Sequence, residues 1–147
     1  MDVIEFKPIG VIRSPYKSPL DVPWPRDVPE KSKGQIEIFD DYLEGLEDLD
    51  GFSHIEVIFH LHLSKNPSLK AHPPFDNREH GVFATHSPHR PNPIGLTVVR
   101  LESIVKNMLN ISGIDMIDGT PVLDIKPYIP RVKPAENIRL GWFEDKR

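Results

Sequence analysis

His54-Ile55-Glu56-Val57-Ile58-Phe59-His60-Leu61-His62-Leu63 alternates without a break. Ile55, Val57, Phe59, Leu61 and Leu63 fall on one face; His54, Glu56, Ile58, His60 and His62 fall on the other. A period of two belongs to a half-buried strand, because successive Cβ atoms point to opposite sides of a sheet. Outward from this run the same period recurs in short pieces. Ile4 to Ile12 reads as a first strand, ending at Arg13-Ser14-Pro15, and Gly34 to Phe39 alternates Ile36 and Ile38 with Gln35 and Glu37. Val82 to Thr85, Leu96 to Val105, Met108 to Ser112 and Pro121 to Lys126 complete a set of about seven strands. Leu43, Leu46 and Leu49 are spaced by three, which predicts a helical turn or two over Asp41 to Leu49. Asp118-Gly119 signals a turn, and Asn66 to Arg78 reads as a long surface excursion. Sixteen prolines, spread from Pro8 to Pro134, break up any long helix. The expectation is a mainly β protein: a small antiparallel β-barrel with short helical turns, in one domain over residues 1–147.

The chemistry concentrates in Gly81 to Gly95, GVFATHSPHRPNPIG. Pro88, Pro91 and Pro93 fall within six residues and alternate with His89, Arg90 and Asn92, just after His86 and Ser87. Each proline fixes its own φ, removes a donor and pushes the preceding residue towards extended geometry. A stiff loop has few unfolded conformations to lose, so it holds polar groups in place at low entropic cost. As a mere connector it would not need five polar side chains, so a ligand-binding loop is expected.

Composition narrows the classes. A length of 147 residues suits one domain with a sizeable core. There is no apolar run near the ~20 residues that cross a bilayer, and no secretory signal at the start, so no membrane partner is expected. The absence of cysteine removes disulfides and thiol catalysis and permits a reducing cytoplasm, the default expectation. A net charge of −4 argues against a generally basic nucleic-acid coat. The charge is uneven: Glu37 to Asp50 holds seven acidic residues and no basic one, a face that must point away from any polyanion.

Several devices are missing. The nine glycines lie no closer than six residues apart, so neither G-x-G-x-x-G nor a P-loop exists, and no G-x-S-x-G elbow is present. His54, His60 and His62 share a strand face, but spacing fixes no further ligands, so no metal site is expected. Asp124 and Lys126 are placed to pair, and a hairpin closed by Asp118-Gly119 would explain their surroundings. Asp115, set among Ile114, Met116 and Ile117, must find donors or a cationic ligand. Trp24, in the Pro-rich stretch Ser14 to Pro29, suits either stacking on a base or packing over a core edge.

The stretches IGVIRSPY (Ile9–Tyr16), GLEDLDGFSHIEVIFHLH (Gly45–His62), GVFATHSPHRPNPIGL (Gly81–Leu96) and GIDMIDGTPVLDIKPYIP (Gly113–Pro130) together resemble the TrmO (TsaA-like) family of tRNA methyltransferases. They run in family order over most of the chain. The resemblance implies a small non-Rossmann barrel that works as a homodimer. It implies methylation, with S-adenosylmethionine, of the N6 atom of threonylcarbamoyladenosine beside the anticodon of tRNA. Carried over by motif, the family's cofactor contacts fall on Pro25, Arg26 and Asp27, on His62 and Leu63, on His86, on Val98, and on Ile114, Asp115, Met116 and Ile117. The family usually reads FATRSP, and here His86 replaces the arginine, a titratable group for a fixed cation.

Methyl transfer from a sulfonium is an in-line displacement that needs alignment rather than a metal or a covalent nucleophile. Leu63, Val98, Ile114 and Met116 are the expected apolar walls, and Asp115 suits an ammonium or ribose hydroxyls. His86, His89 and Asp115 are each candidates to take the N6 proton. Arg90 and Asn92 are expected to recognise the threonyl carboxylate or the base edge by charge-assisted, bidentate bonding. Two other classes compete: a binding-only barrel for modified tRNA or a nucleotide, and a zinc-dependent hydrolase built on His54, His60 and His62.

Overall fold

The computed structural model describes residues 1–24, 27–131 and 138–146. Its strands in chain order are β1 (Gly10–Arg13), β2 (Lys33–Ile38), β3 (His54–His60), β4 (Lys70–Ala71), β5 (His80–Gly81), β6 (Ile94–Val105), β7 (Met108–Ser112) and β8 (Pro121–Pro127). Six of them close an antiparallel barrel in the order β1-β2-β7-β6-β3-β8, and β4 pairs with β5 as a separate ribbon. The expected mainly β barrel is therefore the observed architecture. The alternation in β3 carries it: Ile55, Val57 and Phe59 enter the core, while His54, Glu56 and Ile58 stay half-buried outside and His60 is exposed. Closure leaves no free sheet edge and encloses an almost wholly aliphatic core, to which Ile12, Ile36, Leu109, Ile111, Val99 and Val122 also belong.

Several boundaries differ from the expectation, each for a physical reason. The first strand begins at Gly10 rather than Ile4. Pro8 has no N–H to give a ladder; Ile9 donates to the Val122 carbonyl at 2.8 Å and is the first residue tied to the barrel. β3 ends at His60, because the Leu61 N–H turns aside to the Pro93 carbonyl and the His62 N–H to His60. The leucine spacing of three marks 3₁₀ helices, Asp40–Leu46 and Leu49–Gly51, whose period is three. Val82 to Thr85 is not a strand: Val82–Ala84 forms a 3₁₀ turn, and both Thr85 N–H and its hydroxyl bond the Val82 carbonyl.

The Asp118-Gly119 turn exists, with Gly119 at φ +84, but it closes no hairpin. β7 pairs with β2 and β6, whereas β8 pairs with β1 and β3. A bulge opposite Ile58/Phe59 puts Val122 and Ile125 on the same inner side, although alternation would separate them. Asp124 and Lys126 do pair, at 3.0 Å. Gly95 is required by packing: a Cβ there would lie 2.3 Å from the Phe59 ring, which faces it across the β3–β6 ladder. Beside the barrel lies an annex made of Trp24, the 66–81 excursion with its β4–β5 ribbon, the loop after Val82–Ala84, and the turn Gly141–Phe143. No helix among the described residues is long and apolar enough to cross a membrane.

Candidate functional site

The Pro-rich loop is held by its own polar groups. Ser87 N–H donates to Thr85 Oγ1 at 3.2 Å, and His89 N–H to Ser87 Oγ at 3.3 Å. Short hydroxyl side chains here replace the backbone pairing that proline forbids. Arg90 completes the clamp: its Nη1 donates to the Thr85 and Ser87 carbonyls, both at 2.9 Å. A guanidinium so engaged is directed into its own loop, which differs from the expectation that it projects towards a ligand. Asn92 does project; its side chain is exposed, while its carbonyl accepts from Ile94 N–H at 2.7 Å. His89 Nδ1 lies 2.9 Å from Ser64 Oγ, and its carbonyl accepts from Ser68 N–H. The His86 imidazole is exposed and has no hydrogen-bond partner among the described residues.

Between this loop and the rest of the annex lies a cavity of about 830 Å³. One side is the loop itself, 84–89, and the other is the excursion, the Trp24 ring and the C-terminal turn. Its aromatic wall is braced by ring contacts and hydrogen bonds. Trp142 stacks on His80 at 4.5 Å and 15°, and its indole N–H donates to the Ala84 carbonyl at 2.8 Å. His80 is in turn fixed by Asp76, whose carboxyl is lowered from its ordinary value chiefly by that hydrogen bond. Phe75 stands at the centre, 5.1 Å from Trp24 edge-to-face, 6.2 Å from Trp142 and 5.7 Å from Phe143. A second hollow of about 610 Å³ lies at another part of the surface. Its cations are already matched there or at its edge: Arg13 with Glu37 at 2.9 Å, Lys17 with Asp118 at 3.0 Å, and Lys33 acting on Glu102.

Asp115 forms a distinct patch beside the loop. Burial pushes its carboxyl above the ordinary value, against the support of Thr97, its own N–H and the nearby positive influence of His86. Its Oδ1 is buried with no hydrogen-bond partner among the described residues. A buried acceptor left unpaired costs roughly 1–3 kcal/mol, so the site suits a donor-rich or cationic ligand. Ile114 and Met116, expected as walls of an open pocket, are instead fully buried in the barrel at 0% and 1% exposure. Their alternation turns Asp115 and Ile117 to the other side. Their polar backbone atoms are also engaged: Ser14 Oγ donates to the Met116 carbonyl at 2.6 Å, and Ile114 N–H to Ser32 Oγ at 3.0 Å.

The remaining expected contacts are spread out. Val98 points outward from β6 at 42% exposure, while its neighbour Thr97 supports Asp115. Leu63 is exposed, and His62 is half-buried beside His60, with its pKa lowered first by desolvation. Asp27 N–H donates to the Trp24 carbonyl; Pro25 and Arg26 lie outside the described residues. His54 and His60 sit at opposite ends of β3, roughly 20 Å apart at strand rise, so with His62 they are not one ligand set. Of these positions, only His86 and His89 border the cavity among the described residues. Sequence reasoning missed Lys70, Phe75, Trp142 and Phe143, which the cavity uses. The signal of the three aromatics was weak, large rings in short segments without strand period, next to Pro73-Pro74 or Gly141, and Lys70 carried none.

Known proteins resemble this chain in sequence and in fold. Residues 11–133 match the family profile described as tRNA-methyltransferase O N-terminal domain. A probable S-adenosyl-L-methionine-binding protein of Pyrococcus abyssi is 47% identical over 142 residues, covering 97% of this chain and 77% of that protein. The tRNA (adenine(37)-N6)-methyltransferase of Escherichia coli is 36% identical over 140 residues, covering 88% of this chain and 60% of that enzyme. A crystal structure of TrmO from Pseudomonas aeruginosa superposes with a TM-score of 0.76 at 38% identity, over 95% of this chain and 62% of that one. The chain thus spans less than two thirds of the latter two proteins.

Proposed function

The chain belongs to the tRNA-methyltransferase O family, and on that premise we propose that it is an S-adenosylmethionine-dependent methyltransferase acting on N6 of threonylcarbamoyladenosine beside the anticodon of tRNA. One observation carries the reading: His86 borders the cavity and also acts electrostatically on Asp115, so it stands at the junction of two sites of different chemistry. Two-substrate transfer needs such a junction, because donor and acceptor must meet in line.

The residues fit the cofactor at Asp115, whose unpaired Oδ1 suits an ammonium or ribose hydroxyl. When bound, S-adenosylmethionine supplies an activated methyl group on sulfur. Methyl transfer breaks the S–C bond and forms an N–C bond, and N6 loses its proton. His86 is the base in this reading, its exposed imidazole bordering the cavity with no hydrogen-bond partner among the described residues; His89 and Asp115 are the alternatives. Arg90 holds the loop that carries His86, and Asn92 is exposed on the same loop.

The protein works as a homodimer in this reading. Leu96 and Val98 form an apolar stripe on the outside of β6, 60% and 42% exposed, and a second copy would cover it while completing contacts that one chain leaves scattered. The absence of cysteine is compatible with a cytoplasmic setting.

Methyl transfer to tRNA carrying threonylcarbamoyladenosine, compared with the unmodified transcript, tests the substrate. A preference of about tenfold to a hundredfold is expected, since unmodified adenosine lacks the anionic arm that a charge-assisted hydrogen bond would hold. Equal transfer to both would overturn the assignment. Asp115→Ala is expected to weaken S-adenosylmethionine binding about tenfold or more by calorimetry, and sedimentation of a fully active monomer would remove the dimer.

A further inference from the structure

We propose that the aromatic cavity of the annex is the acceptor pocket, taking a flipped-out purine that carries an anionic arm, with Lys70 as the residue that selects the arm. This rests on the methyltransferase reading above and says which of its two substrates the cavity holds.

The walls fit a flat, neutral ring. Trp24, Phe75, Trp142 and Phe143 contribute π faces and edges, fixed in advance by the Asp76–His80–Trp142–Ala84 chain of contacts. Stacking on fixed aromatic rings compensates a base for leaving its own stack, at about 1–3 kcal/mol per base. The charge pattern then separates acceptor from donor. Among the described residues that line the cavity, Lys70 is the only permanently charged side chain and none is a carboxylate. Its ammonium has no partner among the described residues; only its backbone is engaged, with Ser68 and across the ribbon to Gly81. A sulfonium-bearing zwitterion finds no counter-charge for its cations there, whereas a carboxylate finds one. The Asp115 patch has the opposite character. Arg90, the other basic candidate, is bound to its own loop. Asn66, Ser68 and Ser87 add neutral polar groups on the same lining, suited to a urea-like arm.

The chain has two tryptophans, Trp24 and Trp142, and both line the cavity, so intrinsic fluorescence reports its occupancy directly. The full-length protein is titrated, without methyl donor, with an anticodon stem-loop carrying threonylcarbamoyladenosine or plain adenosine. A saturable tryptophan response is expected, with the modified loop bound about tenfold to a hundredfold more tightly, the size of a charge-assisted hydrogen bond. Lys70→Ala should remove that preference and Lys70→Arg should keep it, while S-adenosylmethionine affinity by calorimetry stays unchanged in both. Competition of S-adenosylmethionine for the same tryptophan response would overturn the proposal, as would discrimination that survives Lys70→Ala. A mobility shift with no tryptophan response would overturn it too, even if methyl transfer occurs. Binding with the predicted preference but no methyl transfer would instead sink the methyltransferase reading and leave the pocket assignment standing.

Discussion

The barrel and the annex are built from different side chains, and the difference shows what each is for. The barrel core is aliphatic, with Phe59 as its one buried aromatic ring among the described residues. The annex is held by Trp24, Phe75, Trp142, Phe143 and His80, in short segments joined by edge-to-face and stacked contacts. Branched aliphatic residues fill a closed barrel because they pack well on a pleated surface in few rotamers. Flat rings leave flat faces, and the annex leaves a cavity of about 830 Å³ between them. On the reading proposed above, stability resides in the first region and recognition in the second.

The sharpest way to break the comparison is through Gly95. Gly95→Ala drives a Cβ into the Phe59 ring inside the barrel, and it should cost about 2–3 kcal/mol in denaturant unfolding, with barrel and annex lost together. An unchanged midpoint would mean that the ring can move aside and that the barrel is less tightly packed than described.

A substitution confined to the annex should behave differently. Trp142→Ala removes the indole bond to Ala84 and the stack on His80, a local loss of about 1–2 kcal/mol. Amide exchange should accelerate over residues 82–86 while the β3–β6 amides keep their protection. Uniform acceleration would show that the two regions unfold as one unit.

The smallest effect sharpens the comparison at the point where the regions meet. Burial raises the Asp115 carboxyl, so between its unfolded value and its higher folded value the native state binds more protons than the unfolded one. Stability therefore falls as pH rises through that window, and the ionised group remains a cost at neutral pH. Asp115→Asn should raise Tm by about 2–4 °C at pH 7, the shift of roughly 1 kcal/mol in a domain of this size. The gain should vanish near pH 2, well below the ordinary aspartate value of about 3.9, where Asp115 is neutral in both states. Thermal scans at the two pH values check it; a lower Tm at pH 7 would show that the carboxylate contributes to folding.

What was legible in the amino-acid order was whatever a local backbone period dictates. Alternation from His54 to Leu63 places Ile55, Val57 and Phe59 in the core, and leucines spaced by three become 3₁₀ turns, because neighbouring residues alone set those geometries. The stiffness of Pro88 to Pro93 and the motifs that resemble TrmO are local in the same sense. Tertiary structure alone decided the rest. A bulge reverses the facing of β8 beyond Val122, since it depends on how many residues the partner strand offers. Arg90 turns into its own loop because the Thr85 and Ser87 carbonyls lie within reach there. Ile114 and Met116 turn inward because barrel closure buries that side of the segment. The cavity brings Trp24 within one wall of Trp142, across most of the chain. Contacts at that separation follow from packing, and no period of two, three or 3.6 residues encodes them.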